Sequence, residues 1–233
     1  MRRWPAIQRH KVPFLHQKSI EGHAQLLLDE WAEAHPPITE PPVPIEDMLE
    51  LHLGLEFMLA DLQGEYGSPD VLGAIWFGDR MVKVDQSLEP TNAPKMLGRY
   101  RFTIAHEVGH WRLHRQHLME DPSAEFLFQE KCEPAFVCRS NANPPEEIQA
   151  NAFAACVLMP RRLMFDAWAQ WRGSEDPVAI SELSMNDHQI SEEAAMDKFC
   201  RPLAEQFEVS AQAMRYRLQK LELLVKKIEP RLF

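Results

Sequence analysis

A His-Glu-x-x-His motif inside an apolar helical pattern constrains this chain more than any other feature. Residues 99–111 read Arg-Tyr-Arg-Phe-Thr-Ile-Ala-His-Glu-Val-Gly-His-Trp, with the motif at His106, Glu107 and His110. At 3.6 residues per turn the two histidines stand one above the other on a single face, so their ring nitrogens can converge on one ion about 2 Å away. Glu107 is carried slightly round the helix, beside the ion, where it can take a proton from water and help make a nucleophile. Phe102, Ile104, Ala105, Val108, Trp111 and Leu113 occupy more than one face, which predicts a helix central to a core with only its histidine strip polar. Two imidazoles on such a helix need a partner, so zinc is the preferred explanation over a chance pattern.

A catalytic zinc takes three protein ligands, and the third must come from elsewhere in the chain. Metzincin-type sites place it six residues after the second motif histidine, behind a turning glycine; here Gln116 and Leu113 occupy those positions, which argues against that class. A better source is residues 143–160, which read as a second helix with Asn143 as N-cap, Pro144 as first helical residue and Pro160 as its stop. Glu146 can then close a capping box onto Asn143. Glu147 is left as the expected third ligand, with Glu146 the next candidate. Ala150, Ala154 and Ala155 would let this helix approach the first closely, and Asn151, one turn beyond Glu147, suits a hydrogen bond to a ligand histidine.

These two segments, Arg101–His114 and Glu147–Pro160, are similar to those of the ImmA/IrrE metallopeptidases, which have a gluzincin-like site. The resemblance extends loosely over most of the chain. It implies zinc bound by His106, His110 and Glu147, with Glu107 as general base, the residues already selected on chemical grounds. It also implies a regulatory protein as substrate, such as a helix-turn-helix repressor. The interval between His110 and Glu147 is longer than the family's compact form and holds Cys132 and Cys138.

A formal charge of −10 disfavours nonspecific affinity for nucleic acid or an anionic membrane. Residues 1–11 are charged without a following apolar run, and no stretch is long enough to span a bilayer, so a cytoplasmic protein is expected. Cys132, Cys138, Cys156 and Cys200 are few and scattered, as in a reducing compartment. A second, structural zinc held by His114, His117, Cys132 and Cys138 would need an irregular spacing. A short strand over residues 135–138, beside the motif helix, is preferred.

The expected fold class is α+β and zincin-like: a small sheet packed on the motif helix and the glutamate helix. Ser19 caps an early helix with Ile20, Ala24, Leu27, Leu28 and Trp31 as its apolar stripe. The Pro-rich stretch 36–44 reads as an extended surface connector, and residues 45–53 as a short helix closed by Gly54. Strands are expected at 55–59, 71–77 and 81–85, the last two joined by Gly78-Asp79 in a tight hairpin. In zincin-like folds such a sheet borders the cleft, and its edge can take up an extended peptide as an added strand. Residues 161–172 continue as a helix, and 173–192 read as a linker or lid. Residues 201–224 resemble a helix-turn-helix with Ser210 as cap; Glu205, Glu208 and Glu222 dilute the basic face of Arg215, Arg217 and Lys220, so packing or partner docking is preferred to DNA contact.

Domains are expected at 1–172, the metallopeptidase unit, and 173–233, a linker with C-terminal helices. Two functions remain. One is a cytoplasmic zinc endopeptidase acting on a regulatory protein. The other is a zinc-containing binding module that works by association, as in a toxin–antitoxin-like pair. Glu107 favours the enzyme, because a structural zinc site needs no base. The sequence leaves the oligomeric state open.

Overall fold

The motif lies on a helix, Leu97–Leu113, that is buried along most of its length, with Ile104, Ala105 and Val108 at its apolar positions almost fully covered. The computed structural model describes residues 12–129, 133–139, 144–184 and 191–226. In it, helices surround a four-stranded mixed sheet of order β1-β3-β2-β4. The strands are β1 (Glu56–Ala60), β2 (Val71–Trp76), β3 (Met81–Asp85) and β4 (Phe136–Arg139). β2 and β3 pair antiparallel with Trp76 opposite Met81. Their connection is the four residues 77–80, longer than the expected two-residue turn, with Arg80 at φ 51°. β1 runs parallel to β3, so the chain must cross over between them, and it does so through the short helix Leu62–Tyr66 and β2.

Every residue of β2 is buried, because both faces of the strand are covered. Ile75 and Phe77 join the main core, whereas Ala74 and Trp76 pack with Leu62 and Val137 on the opposite face. β4 pairs with β2 and closes one edge of the sheet beside the motif helix. The expected strand at 135–138 is therefore present, displaced by one residue.

The second helix, Pro145–Leu158, crosses the motif helix at Gly109. A Cβ added there would stand 3.1 Å from the Cα of Ala150, so the missing side chain is what permits the close crossing. Pro144 takes the N-cap position and the helix begins one residue later than expected; the proposed cap Asn143 lies outside the described residues. The first helix, Gln17–Ala34, buries Ile20, Ala24, Leu27, Leu28 and Trp31 as its periodicity predicts. It starts ahead of Ser19, with His16 as the N-cap residue.

Within the expected linker 173–192, residues 178–184 form regular structure. Buried Val178 and Ala179 pair as a short parallel ladder with Leu224 and Val225, followed by the helix Ile180–Ser184. At the C-terminal end, Glu192–Gln206 and Ala211–Lys220 form two helices. The second is capped as expected, the Ser210 hydroxyl accepting from the Ala213 amide at 3.1 Å. Glu208 adopts φ 52° in the turn between them, a position that ordinarily favours glycine. One hydrophobic cluster runs from Ile20 to Leu224 and includes residues on both sides of the 172/173 boundary.

Candidate active site

His106 and His110 project from successive turns of the motif helix, and their Nε2 atoms are 3.0 Å apart. Glu147 reaches them from the second helix, with one carboxylate oxygen 3.1 Å from His106 Nε2 and the other 3.2 Å from His110 Nε2. All three side chains are buried. Two helices held together at Gly109 and Ala150 thus bring together residues 41 positions apart in sequence or less.

The outer ring nitrogens fix what the inner ones can do. His106 Nδ1 lies 2.9 Å from Asn151 Oδ1, which can only accept, so the ring proton sits on Nδ1 and the Nε2 lone pair faces inward. At His110 the same result comes through a chain. The Gln149 amide donates from Nε2 to the Pro13 carbonyl at 2.9 Å, which turns its Oε1 toward His114 Nε2 at 3.2 Å. His114 Nε2 must then carry the proton, leaving His114 Nδ1 to accept from His110 Nδ1 at 3.0 Å. His110 Nε2 is again a lone pair. Phe136 of β4 stacks on the His110 ring at 4.0 Å between centroids and holds its plane.

Electrostatics agree with neutral rings at His110 and His114. Burial lowers the His110 pKa to about 4 and the His114 pKa to about 3, so both rings are neutral. Burial opposes charge on Glu147 as well, but the two adjacent imidazoles outweigh it and hold the carboxyl well below the usual range. At His106 burial is overcome by Cys138 and Glu147, which raise its affinity for positive charge. Two imidazoles and an ionised carboxylate therefore converge on one point, where the charge of Glu147 favours a positive charge among them. The three ligand atoms lie close enough together to hold one metal ion in place of a proton, and a nitrogen and oxygen donor set is one that zinc accepts.

Glu107 stands beside this cluster, fully buried, and neither carboxylate oxygen has a hydrogen-bond partner. Burial pushes its pKa up to about 8. Space for it comes from Gly73 of β2, where an added Cβ would lie 2.6 Å from Glu107 Oε1 and 2.7 Å from Thr103 Cγ2. A buried carboxylate left unpaired is costly unless something later completes it.

Sequence reasoning missed His114, Gln149 and Gly73. The spacing of His114, four residues beyond His110, was a usable signal, because it places a third imidazole on the same helix face. The alternative use of His114 in a second zinc site finds no support in the geometry: it is taken up by His110 and Gln149, Cys138 lies beside His106 and Glu107, and Cys132 falls outside the described residues. Glu146 is half-buried on the second helix and is not among the converging ligands. Arg215 and Arg217 of the C-terminal basic face are buried: Arg215 pairs with Asp197 at 2.9 Å, and Arg217 pairs with Glu21 at 2.6 Å and donates to the Met159 carbonyl at 2.9 Å.

The family model Peptidase_M78, described as the IrrE N-terminal-like domain, matches residues 91–219. No curated protein matches significantly. Among solved structures the chain is similar to a Mycobacterium tuberculosis transcriptional regulator, with 13% identity and a TM-score of 0.47 over 88% of this chain and 47% of that one. The chain spans about half the length of that protein.

Proposed function

The chain belongs to the Peptidase_M78 family of IrrE N-terminal-like domains, and from that premise we propose that it is a zinc-dependent endopeptidase acting on a regulatory protein, such as a helix-turn-helix repressor. One observation carries this reading: two imidazoles and a carboxylate converge closely enough to hold one metal ion, next to the buried Glu107 carboxyl, whose oxygens have no hydrogen-bond partner. A family in which peptidase activity is the rule gives that arrangement its chemistry.

His106, His110 and Glu147 would hold the metal. When bound, zinc supplies Lewis-acid polarisation of the scissile carbonyl and makes water more acidic. Asn151 and the His114–Gln149 pair keep both imidazoles in the tautomer that offers Nε2. Glu107 accepts a proton from the attacking water as the new carbon–oxygen bond forms. It then returns that proton to the departing nitrogen as the carbon–nitrogen bond breaks, so the carboxylate ends as it began. A raised pKa suits it to both halves of that exchange. β4, at the sheet edge and carrying Cys138 and Arg139 along the cleft, offers backbone groups to an extended peptide.

The binding-module alternative needs neither Glu107 nor its unpaired state, and so is the weaker account. A direct test incubates zinc-loaded wild type, Glu107→Gln and a chelator-treated control with the product of the neighbouring gene, followed on a gel. Cleavage only by loaded wild type supports the proposal. Stable binding by wild type with no cleavage would favour association instead.

A further inference from the structure

Cys138 takes no part in the hydrolytic reading, yet it stands against the residues that do. Two residues along a strand advance about 6.7 Å and one helical turn about 5.4 Å, so a strand laid on a helix brings their side chains together in pairs. β4 does this on the face it turns to the motif helix: Phe136 stacks on His110, and Cys138, two residues on, is hydrogen-bonded with His106, one turn earlier. Val137 between them packs on the opposite face. In the ladder Cys138 lies opposite Gly73, the residue whose missing side chain makes room for Glu107. The thiol, a Glu107 oxygen and a His106 ring nitrogen consequently lie within 4.8 Å of one another.

A buried cysteine is ordinarily a small apolar filler. What sets Cys138 apart is its company. Cys156 accepts from Arg217 at 3.4 Å and from Gln17 at 3.6 Å, next to a fixed positive charge, and Cys200 is buried within the C-terminal helices. Cys138 instead faces an imidazole and a fully buried carboxyl whose two oxygens have no hydrogen-bond partner. Nitrogen, oxygen and sulfur at that separation are metal-ligand chemistry, and the sulfur makes this set softer than His106, His110 and Glu147. A cation has a way in, because Cys138 and His106 both line a cleft of about 790 Å³, one wall of which is the C-terminal helix Ala211–Lys220.

We propose that His106, Glu107 and Cys138 form a second ligand set, for a soft, thiophilic divalent cation, and that filling it switches the cleft off; this rests on reading the cavity as a metal centre and not on peptide cleavage. Binding exchanges the thiol proton for the cation, and the proton leaves to solvent. His106 Nδ1 is held by Asn151, so the ring has one nitrogen to give and the two sets exclude each other. The cation also engages Glu107, whose carboxylate is then no longer free to accept a proton from water.

The test uses the full chain, stripped of metal and kept reduced by a phosphine. Cadmium chloride is the soft probe, and cobalt chloride the probe for the nitrogen and oxygen set. Cadmium should raise a sulfur-to-metal charge-transfer absorption in the ultraviolet that Cys138→Ser and Cys138→Ala lose, with cadmium affinity falling roughly tenfold or more. Glu147→Ala and His110→Ala should keep that absorption. Cobalt should behave the opposite way: its visible bands should appear in wild type without a sulfur band, survive in Cys138→Ser and vanish in Glu147→Ala. His106→Ala should lose both. Cadmium added to the zinc-loaded chain should release zinc in equal amount, read with a chromophoric indicator, and circular dichroism checks that each variant is folded. A cadmium absorption unchanged in both Cys138 variants, its loss in folded Glu147→Ala, or zinc kept while it develops overturns the proposal. The two readings fail separately. Cobalt and zinc binding with no Cys138-dependent absorption ends this proposal and leaves the zinc site, whereas Cys138-dependent cadmium binding with neither cobalt nor zinc bound keeps the thiol set and ends the zinc peptidase.

Discussion

Glu107, Gly73 and His114 have separable roles at the level of single side chains. Glu107→Gln is nearly isosteric, so zinc content should stay at the wild-type value. Cleavage should fall by roughly 10² to 10⁴, the usual worth of a positioned acid–base group. Metal analysis alongside a gel assay decides this, and wild-type cleavage by the variant would refute the role. Gly73→Ala acts on the same carboxylate from outside. Its new methyl would meet Glu107 Oε1 at 2.6 Å, so activity should drop while metal stoichiometry is kept. A Gly73→Ala enzyme that cuts normally would mean the strand gives way at little cost. His114 works through His110: removing it leaves His110 Nδ1 without its acceptor and frees the ring to change tautomer. His114→Ala should therefore weaken zinc affinity by roughly 10- to 100-fold, measured by competition with a chromophoric chelator.

At the scale of elements, two helices determine whether the site exists and the C-terminal pair shapes its approach. The crossing at Gly109 and Ala150 sets the distance from Glu147 to the two histidines. The C-terminal pair buries Leu203, Phe207 and Leu218 against the core and anchors Arg217 on the first helix through Glu21. Removing residues after 195 should expose that apolar surface, together with Phe199 and Leu221, and so lower the melting temperature and promote association. A mobility-shift assay on the intact protein should show no sequence-specific, salt-dependent DNA binding; if it does, the preference for packing over DNA contact is wrong.

For the molecule as a whole, the proposed metal site would link metal binding to the stability of the fold. Zinc bound to the native state but not to the unfolded chain should raise stability by about 2.7 kcal/mol at a free concentration one hundred times Kd. A rise in melting temperature with added zinc, abolished in His106→Ala and reversed by chelation, is the expected result. No shift in wild type would mean that His106, His110 and Glu147 do not form a metal site. No helix among the described residues is long and apolar enough to cross a membrane.

The sequence alone determined what depends on near neighbours. The spacing of His106 and His110, the Asn151 turn, the Ser210 cap and the helix 161–172 all follow from periodicity and local capping, which act over a few residues, whereas the capping box that set Glu147 apart from Glu146 does not form: Pro144 is the N-cap, without a side-chain cap, and Glu147 is the third helical residue. Only the tertiary structure decided what depends on residues far apart in the chain. Gln149 reaches Pro13 across 136 positions and thereby fixes the tautomer of His110. The parallel pairing of β1 with β3 and the small residue at position 73 beneath Glu107 have no local signature. Nor does the C-terminal helix as a wall of the cleft, because its seat is set by backbone contact at Gly98 and by an ion pair to Glu21. Local rules choose elements and faces; which faces meet is settled by packing, and the packing here couples positions that no sequence window contains.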